Sequence, residues 1–208
     1  VLSAKEAFAG FVDPNVLLFM GMFVIGEAFF ATGVAVGVGN VVHKFAKTET
    51  SLLVAVMMIT GVLSGFLSNT GTAAVLIPVI IGICKKRGFK QTKLLMPLVF
   101  AAAMGGNISL IGAPGNMIAQ AGLQQAGLGS FNFFDYGLVG LPILIVGTIF
   151  YATIGKRFLP DAPSHQPDGA FEGNDDYSHV PSWKKWTAAI VLILTVVAMI
   201  FEKQLGVK

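Results

Sequence analysis

Six apolar stretches alternate with hydrophilic connectors along this 208-residue chain, from about Val16 to Val42, Leu52 to Leu67, Thr72 to Cys84, Leu94 to Ala121, Leu138 to Ile154 and Thr187 to Phe201. Several approach or exceed the ~20 residues that a helix needs to cross a bilayer, so the pattern predicts an all-α integral membrane protein rather than a soluble helical core. Two stretches are short. At ~1.5 Å per residue, Leu52 to Leu67 reaches about 24 Å and Thr72 to Cys84 about 20 Å, both less than a ~30 Å hydrocarbon core. Between them lies Ser68-Asn69-Thr70-Gly71-Thr72, a run of hydroxyls, amide and glycine. A polar break at membrane depth persists only where protein or a water-filled cavity covers it, because unsatisfied groups in hydrocarbon are costly. The limbs make either one long helix or a re-entrant helical hairpin with the polar run at its tip.

Charge placement decides between these. Lys44 and Lys47 precede the limbs, and Lys85, Lys86, Arg87, Lys90 and Lys93 follow them. Positively charged connectors favour the cytoplasm, so a hairpin that returns to its own side satisfies both clusters and a single crossing does not. The rest then alternates. Leu94 to Ala121 crosses outward, the connector Gln124 to Tyr136 carries Asp135 and no Lys or Arg, and Leu138 to Ile154 returns to Lys156 and Arg157. The last segment leaves after Lys184 and Lys185. This threading puts eleven of the fourteen basic residues in the cytoplasm and leaves Lys5, Lys203 and Lys208 outside. The connector from Pro160 to Ser182, with four prolines and five acidic residues, is too polar to enter a bilayer and reads as a cytoplasmic linker. Trp183 and Trp186 stand where an interfacial anchor is expected, or else pack between helices.

Composition agrees. Charged residues make up 12% of the chain and mean hydropathy is +0.75, against roughly 25% charged in a soluble domain. The 25 glycines suit close helix packing. Net charge is +3, but the basic residues lie at segment ends, which fits orientation in a bilayer and not nucleic acid. Cys84 is the sole cysteine, so an internal disulfide is excluded and a structural thiol is expected. Without an initiator Met the chain reads as a fragment of a longer protein.

A second break follows the first. Gly105 to Asn116 packs five glycines or prolines and two asparagines into twelve residues, Gly-Gly-Asn-Ile-Ser-Leu-Ile-Gly-Ala-Pro-Gly-Asn. Glycine and proline free backbone carbonyls here. A proline kink with a close-packing glycine face is the plain alternative, but Asn107, Ser109 and Asn116 need partners that an unwound element opposite the hairpin tip supplies. Broken helices meeting in this way direct helix N-termini at an anion, while carbonyls and hydroxyls coordinate a small cation. Ser68, Asn69 or Thr70 is the expected N-cap of the second limb, which Pro78 should kink. Residues 51–84 and 94–125 contain no Asp, Glu, Lys, Arg or His, so an anion must rely on helix ends and amides, and a monovalent cation such as Na+ is favoured over a divalent metal. Glu27, the one acidic residue within an apolar stretch, is assigned to interhelical bonding on a scaffold helix rather than to a cation. His43, His165 and His179 lie in connectors. No nucleophile with a base, metal cluster or phosphate loop is present, so neither an enzyme nor an organic cofactor is expected.

At Ser68-Asn69-Thr70 and the Ile-Gly-x-Pro-x-Asn break the chain resembles the divalent anion:sodium symporter family of the ion transporter superfamily, from Glu6-Ala7-Phe8-Ala9-Gly10-Phe11 through Arg157-Phe158-Leu159-Pro160. The resemblance implies the first half of an inverted-repeat transporter, with a re-entrant helical hairpin and a broken transmembrane helix. It implies scaffold helices over residues 1–50, the hairpin of a transport domain over 51–93 and the broken helix and its successor over 94–160. A cytoplasmic linker over 161–183 and the first helix of the second repeat over 184–208 complete it. It further implies Na+-coupled symport of a dicarboxylate, citrate or sulfate across the cell inner (plasma) membrane by an elevator-like homodimer. Na+ would be held by Ser64, Ser68, Asn69 and the backbone at Gly112, and substrate by Asn69 and Thr70 with Asn107, Pro114 and Asn116. The family often has Ser or Thr at Ala113, a second proline at Gly115 and Thr at Asn107, and the missing hydroxyl at Ala113 bears on substrate identity. A second repeat, with its own tip, would complete the site. Related arsenite permeases or Na+/H+ antiporters, or a non-transporting scaffold subunit, are the competing expectations.

Overall fold

The computed structural model describes residues 13–34, 42, 48–160 and 180–201. Lys5, the segment Glu6 to Phe11, His43, Lys44 and Lys47 lie outside the described residues, as do the linker residues 161–179 with His165 and His179, and Lys203 and Lys208. Every regular element among the described residues is helical: α1 Pro14–Ala31, α2 Glu49–Ser64, α3 Asn69–Arg87, α4 Thr92–Gly105, α5 Pro114–Gln125, α6 Gly137–Phe150 and α7 Ser182–Ile200. α6 runs on through a π turn, Tyr151–Gly155, as far as Phe158.

Caps decide where the two limbs begin and end. Thr48 accepts a hydrogen bond from the Ser51 N–H (3.1 Å), so helix α2 starts in polar sequence ahead of the apolar run, with Glu49 favourably in its first turn. Ser68 does the same for α3, accepting from the Gly71 N–H (3.1 Å). α3 continues through Pro78 and stops at Gly88, whose φ of 71° is open to glycine, with Lys85, Lys86 and Arg87 placed at the negative helix end.

Between α2 and α3 only residues 65–68 are non-helical, and the two helices fold back on each other. Glu49 at the start of α2 lies close enough to act electrostatically on Cys84 near the end of α3. Both pack on α4. Contact with α2 is closest at Gly61 and Gly105, where a Cβ on Gly105 would overlap the Gly61 backbone, and Leu144 of α6 fills the space over Gly61. Small residues allow this approach, which van der Waals packing then rewards. Leu52, Met57, Ile80, Leu94, Leu98 and Leu144 are fully buried there. A second cluster joins α1, α5 and α7 through Phe29, Phe30, Met117 and Leu192.

One end of the bundle is tied together. The Thr92 hydroxyl donates to the Pro160 carbonyl (2.9 Å), and the Lys156 ammonium donates to the Thr50 hydroxyl (2.8 Å). By length and composition, Gly137–Phe158 and Ser182–Ile200 suffice to cross a membrane, and Glu49–Ser64 and Thr92–Gly105 are shorter apolar helices. Trp183 and Trp186 are exposed and do not pack into the bundle.

Candidate functional site

Polar groups from both breaks meet at the tip of the α2–α3 pair. Ser64, last residue of α2, is fully buried and donates to the Ala102 carbonyl of α4 (2.8 Å). The end of the Asn69 amide that faces this point lies 2.6 Å from Ser64 Oγ and 3.1 Å from the carbonyl oxygens of both Ala102 and Gly112. These neighbours fix its orientation: with Nδ2 on this side the amide donates to them. The set is all oxygen. It is satisfied by an inward N–H or, with the amide turned over, by a small cation held by Asn69 Oδ1, Ser64 Oγ and the two carbonyls. Ser64, Asn69 and Gly112 therefore fit a monovalent cation, and Ala102, which contributes only its backbone, joins them.

The second break is braced onto the first. Ser109, buried, donates to the Gly65 carbonyl of the tip. Asn116, also buried, donates through Nδ2 to the carbonyls of Gly106 and Ser109 (both 2.9 Å), and its own carbonyl accepts from the Tyr136 hydroxyl (3.1 Å). Its amide is thus a clamp across the non-helical residues. A Cβ on Gly106 would lie 2.5 Å and 2.8 Å from the Asn69 amide atoms, and one on Gly112 would lie 2.5 Å from the Gly106 carbonyl. The glycines of the break serve close packing as well as the oxygen cluster.

Beside the cluster, a cavity of about 150 Å³ opens between α1 and the tip. Ser68, Asn69, Thr70, Gly112 and Pro114 line it, Phe30 and Phe66 wall it, and Glu27 faces it from α1. Helix α3 begins here, and so does α5, which has Pro114 at its start, Ala113 as its N-cap and no side-chain cap. Two N-terminal ends thus border one space, a fitting place for an anion.

Not every expected residue reaches it. Asn107 is exposed and donates back to the Ala103 carbonyl in the last turn of α4 (3.3 Å), while Asn116 is taken up by the clamp. Ser68 lines the cavity, and its hydroxyl caps α3. Glu27 makes no interhelical bond to any described residue. The chain pattern contained no signal for the Ala102 carbonyl, because any residue supplies one.

Comparison with known proteins places this geometry in context. The family described as "Citrate transporter" matches residues 1–206. The uncharacterized transporter YfbS of Escherichia coli (strain K12) is 32% identical over 169 residues, 81% of this chain and 28% of that protein. Sodium/sulfate cotransporter 1 of Chlamydomonas reinhardtii is 29% identical over 77% of this chain and 19% of its own. The sodium-dependent dicarboxylate transporter SdcS of Staphylococcus saprophyticus is 27% identical over 76% of this chain and 33% of its own. The chain spans about a fifth to a third of the length of these relatives. No solved structure matches.

Proposed function

This chain belongs to the citrate transporter family, and on that premise we propose that it forms part of a secondary active transporter carrying a small di- or tricarboxylate, or another divalent anion, in symport with Na+. The family and the named relatives are transporters rather than enzymes. The observation that carries the proposal is the convergence of Ser64 Oγ, the Ala102 and Gly112 carbonyls and the Asn69 amide within 3.1 Å, next to a cavity bordered by two helix N-termini. Na+ sits in that oxygen cluster, and the anion sits in the cavity against Asn69, Thr70 and Pro114. Each helix end carries roughly +0.5 charge, so the two ends and one Na+ bring about +2 to a dianion without any Arg or Lys. This arithmetic couples the ions: the anion is held well only when Na+ is present.

In this reading α2 and α3 are a re-entrant hairpin, and α4 and α5 are the halves of one broken membrane helix. The 14 residues of α4 set the tip ~21 Å in from the basic end of the bundle, at ~1.5 Å per residue, within a ~30 Å core. Residues 51–160 move as a transport domain against scaffold helices in 1–50, in an elevator-like homodimer of the inner (plasma) membrane. A second inverted repeat, which α7 begins, completes the site. Names given to the relatives support Na+ and sulfate or dicarboxylate as the transported species.

The test is counterflow of labelled succinate, citrate and sulfate by the full-length protein in proteoliposomes, with Na+ or with choline. Exchange of at least one anion is expected, dependent on Na+ and lost in Asn69→Ala. Exchange that ignores Na+ and follows pH would place the protein with proton-coupled carriers. Unaltered exchange in Asn69→Ala and Thr70→Ala, at normal expression, would remove the tip from the mechanism.

A further inference from the structure

The connector between α5 and α6 carries four aromatic residues in six, Phe131, Phe133, Phe134 and Tyr136, and it folds as a braced turn. The Asp135 carboxylate accepts from the Asn132 backbone N–H (2.6 Å) and from the Asn132 side-chain amide (2.9 Å). The Phe131 N–H donates to Gln120 Oε1 (2.8 Å) and the Tyr136 hydroxyl to the Asn116 carbonyl (3.1 Å), so both ends of the turn are tied to α5. Phe133, between them, is buried, and it reaches both breaks. Its ring stacks on that of Phe66 in the hairpin tip, with centroids 6.4 Å apart and 24° between the planes. Its carbonyl accepts from the Leu110 N–H of the second break (2.9 Å). Phe134 stands at 89° to Phe133 and meets the Phe66 ring edge-on.

These contacts fall beside the oxygen cluster. Ser64 stands two residues before Phe66, and Gly112, whose carbonyl belongs to the cluster, two residues after Leu110. Both stretches have left the helix here, so packing has to supply the rigidity that a helical ladder would give. Binding groups must be held to within about 0.5 Å by side chains that are themselves locked in place. We propose that Phe133 is a positioning residue for the Na+ cluster. Its ring fixes the turn that joins Ser64 to Asn69, and its carbonyl fixes the stretch that leads to Gly112. The two halves of the cluster keep their spacing because one braced residue holds both. The inference rests on the Na+ reading of that cluster and extends it to a connector that touches neither ion. Any residue supplies the carbonyl, so only the ring depends on residue type. An aliphatic side chain fills the space without stacking, whereas two rings at right angles grip Phe66 by its face and its edge.

The experiment compares Phe133→Leu, Phe66→Leu, the two together and Phe131→Leu in the full-length protein. It reads Na+-dependent counterflow, with whichever of succinate, citrate and sulfate the wild type exchanges, and Na+-dependent thermal stabilisation without anion. Phe133→Leu should raise the half-saturating Na+ about 10-fold, the loss typical of an outer-shell partner of a bound metal. Its exchange rate and its anion half-saturation, both at saturating Na+, should stay close to wild type. Phe66→Leu should raise the half-saturating Na+ likewise, and it tests the same stack from the tip should Phe133→Leu not fold. The double variant should lose no more than either alone, because the two rings act through one contact. Phe131→Leu, whose ring packs on Tyr136, should cost stability without moving the half-saturating Na+. Unmoved Na+ half-saturation in Phe133→Leu, with a Na+-dependent wild type, overturns the inference and leaves the transport reading standing. An equal rise in Phe131→Leu also overturns it, as general damage to the connector. So does a shift confined to the anion, which would make Phe66 a cavity wall only. A wild type indifferent to Na+ overturns this inference and the transport reading together.

Discussion

Gly106 illustrates how closely the site is fitted. A methyl group added there meets both heavy atoms of the Asn69 amide head, at 2.5 Å and 2.8 Å, and that amide cannot retreat without leaving its oxygen cluster. Gly106→Ala should therefore lower stability by about 1–3 kcal/mol, the usual cost of overpacking, and should impair Na+ dependence more than expression. Gly115→Ala, nine residues on, has open space around the new methyl and should be neutral. Thermal unfolding and Na+-dependent counterflow of the two full-length variants check the pair, and equal behaviour would remove the fit as an explanation. The polar residues of the tip were legible in the chain because hydroxyls and amides between apolar runs are expensive unless used. Residues that act through the backbone were not, and Ala102 is the example. Asn107 and Asn116 looked alike in sequence, yet one turns outward and the other is buried as a clamp. Only the path of the chain between them distinguishes the two.

At the scale of elements, the helix limits follow caps rather than hydropathy. Glu49, Thr50 and Ser51 are polar but helical because Thr48 caps them, whereas Gly65, Phe66 and Leu67 are mostly apolar but leave the helix. A reading based on apolar runs thus finds both helices and shifts each of their ends by three residues. The non-helical stretch between α4 and α5 was visible in its glycines and proline, but the side chain that holds it was not. Asn116→Ala should leave the buried carbonyls of Gly106 and Ser109 without their donor, at a cost of about 1–3 kcal/mol. Faster amide hydrogen exchange across residues 106–113, with and without substrate, is the expected signature. A variant of wild-type stability and unchanged exchange, but with weakened anion binding, would assign the Asn116 amide to the substrate instead.

Over the whole molecule, the basic residues and the connectors make a prediction about sidedness. Thr92 is bonded to Pro160, Lys156 to Thr50, and Glu49 lies near Cys84. The starts of α2 and α4 and the ends of α3 and α6 therefore share one end of the bundle. Lys85, Lys86, Arg87, Lys90, Lys93, Lys156 and Arg157 are all at that end, and positively charged loops favour the cytoplasm. The connector 126–136 returns from α5 to the start of α6, at the opposite end of that 22-residue helix. Cys84 is buried, so single cysteines can be read cleanly after Cys84→Ser. Lys86→Cys and Arg157→Cys should react with a membrane-impermeant maleimide only in inverted vesicles, and Ser130→Cys only in intact cells. Lys86→Cys is the deciding position. A hairpin returns it to the side of Arg157, whereas a continuous helix through both limbs would carry it to the side of Ser130, and labelling from that side would end the re-entrant reading and the ion path built on it.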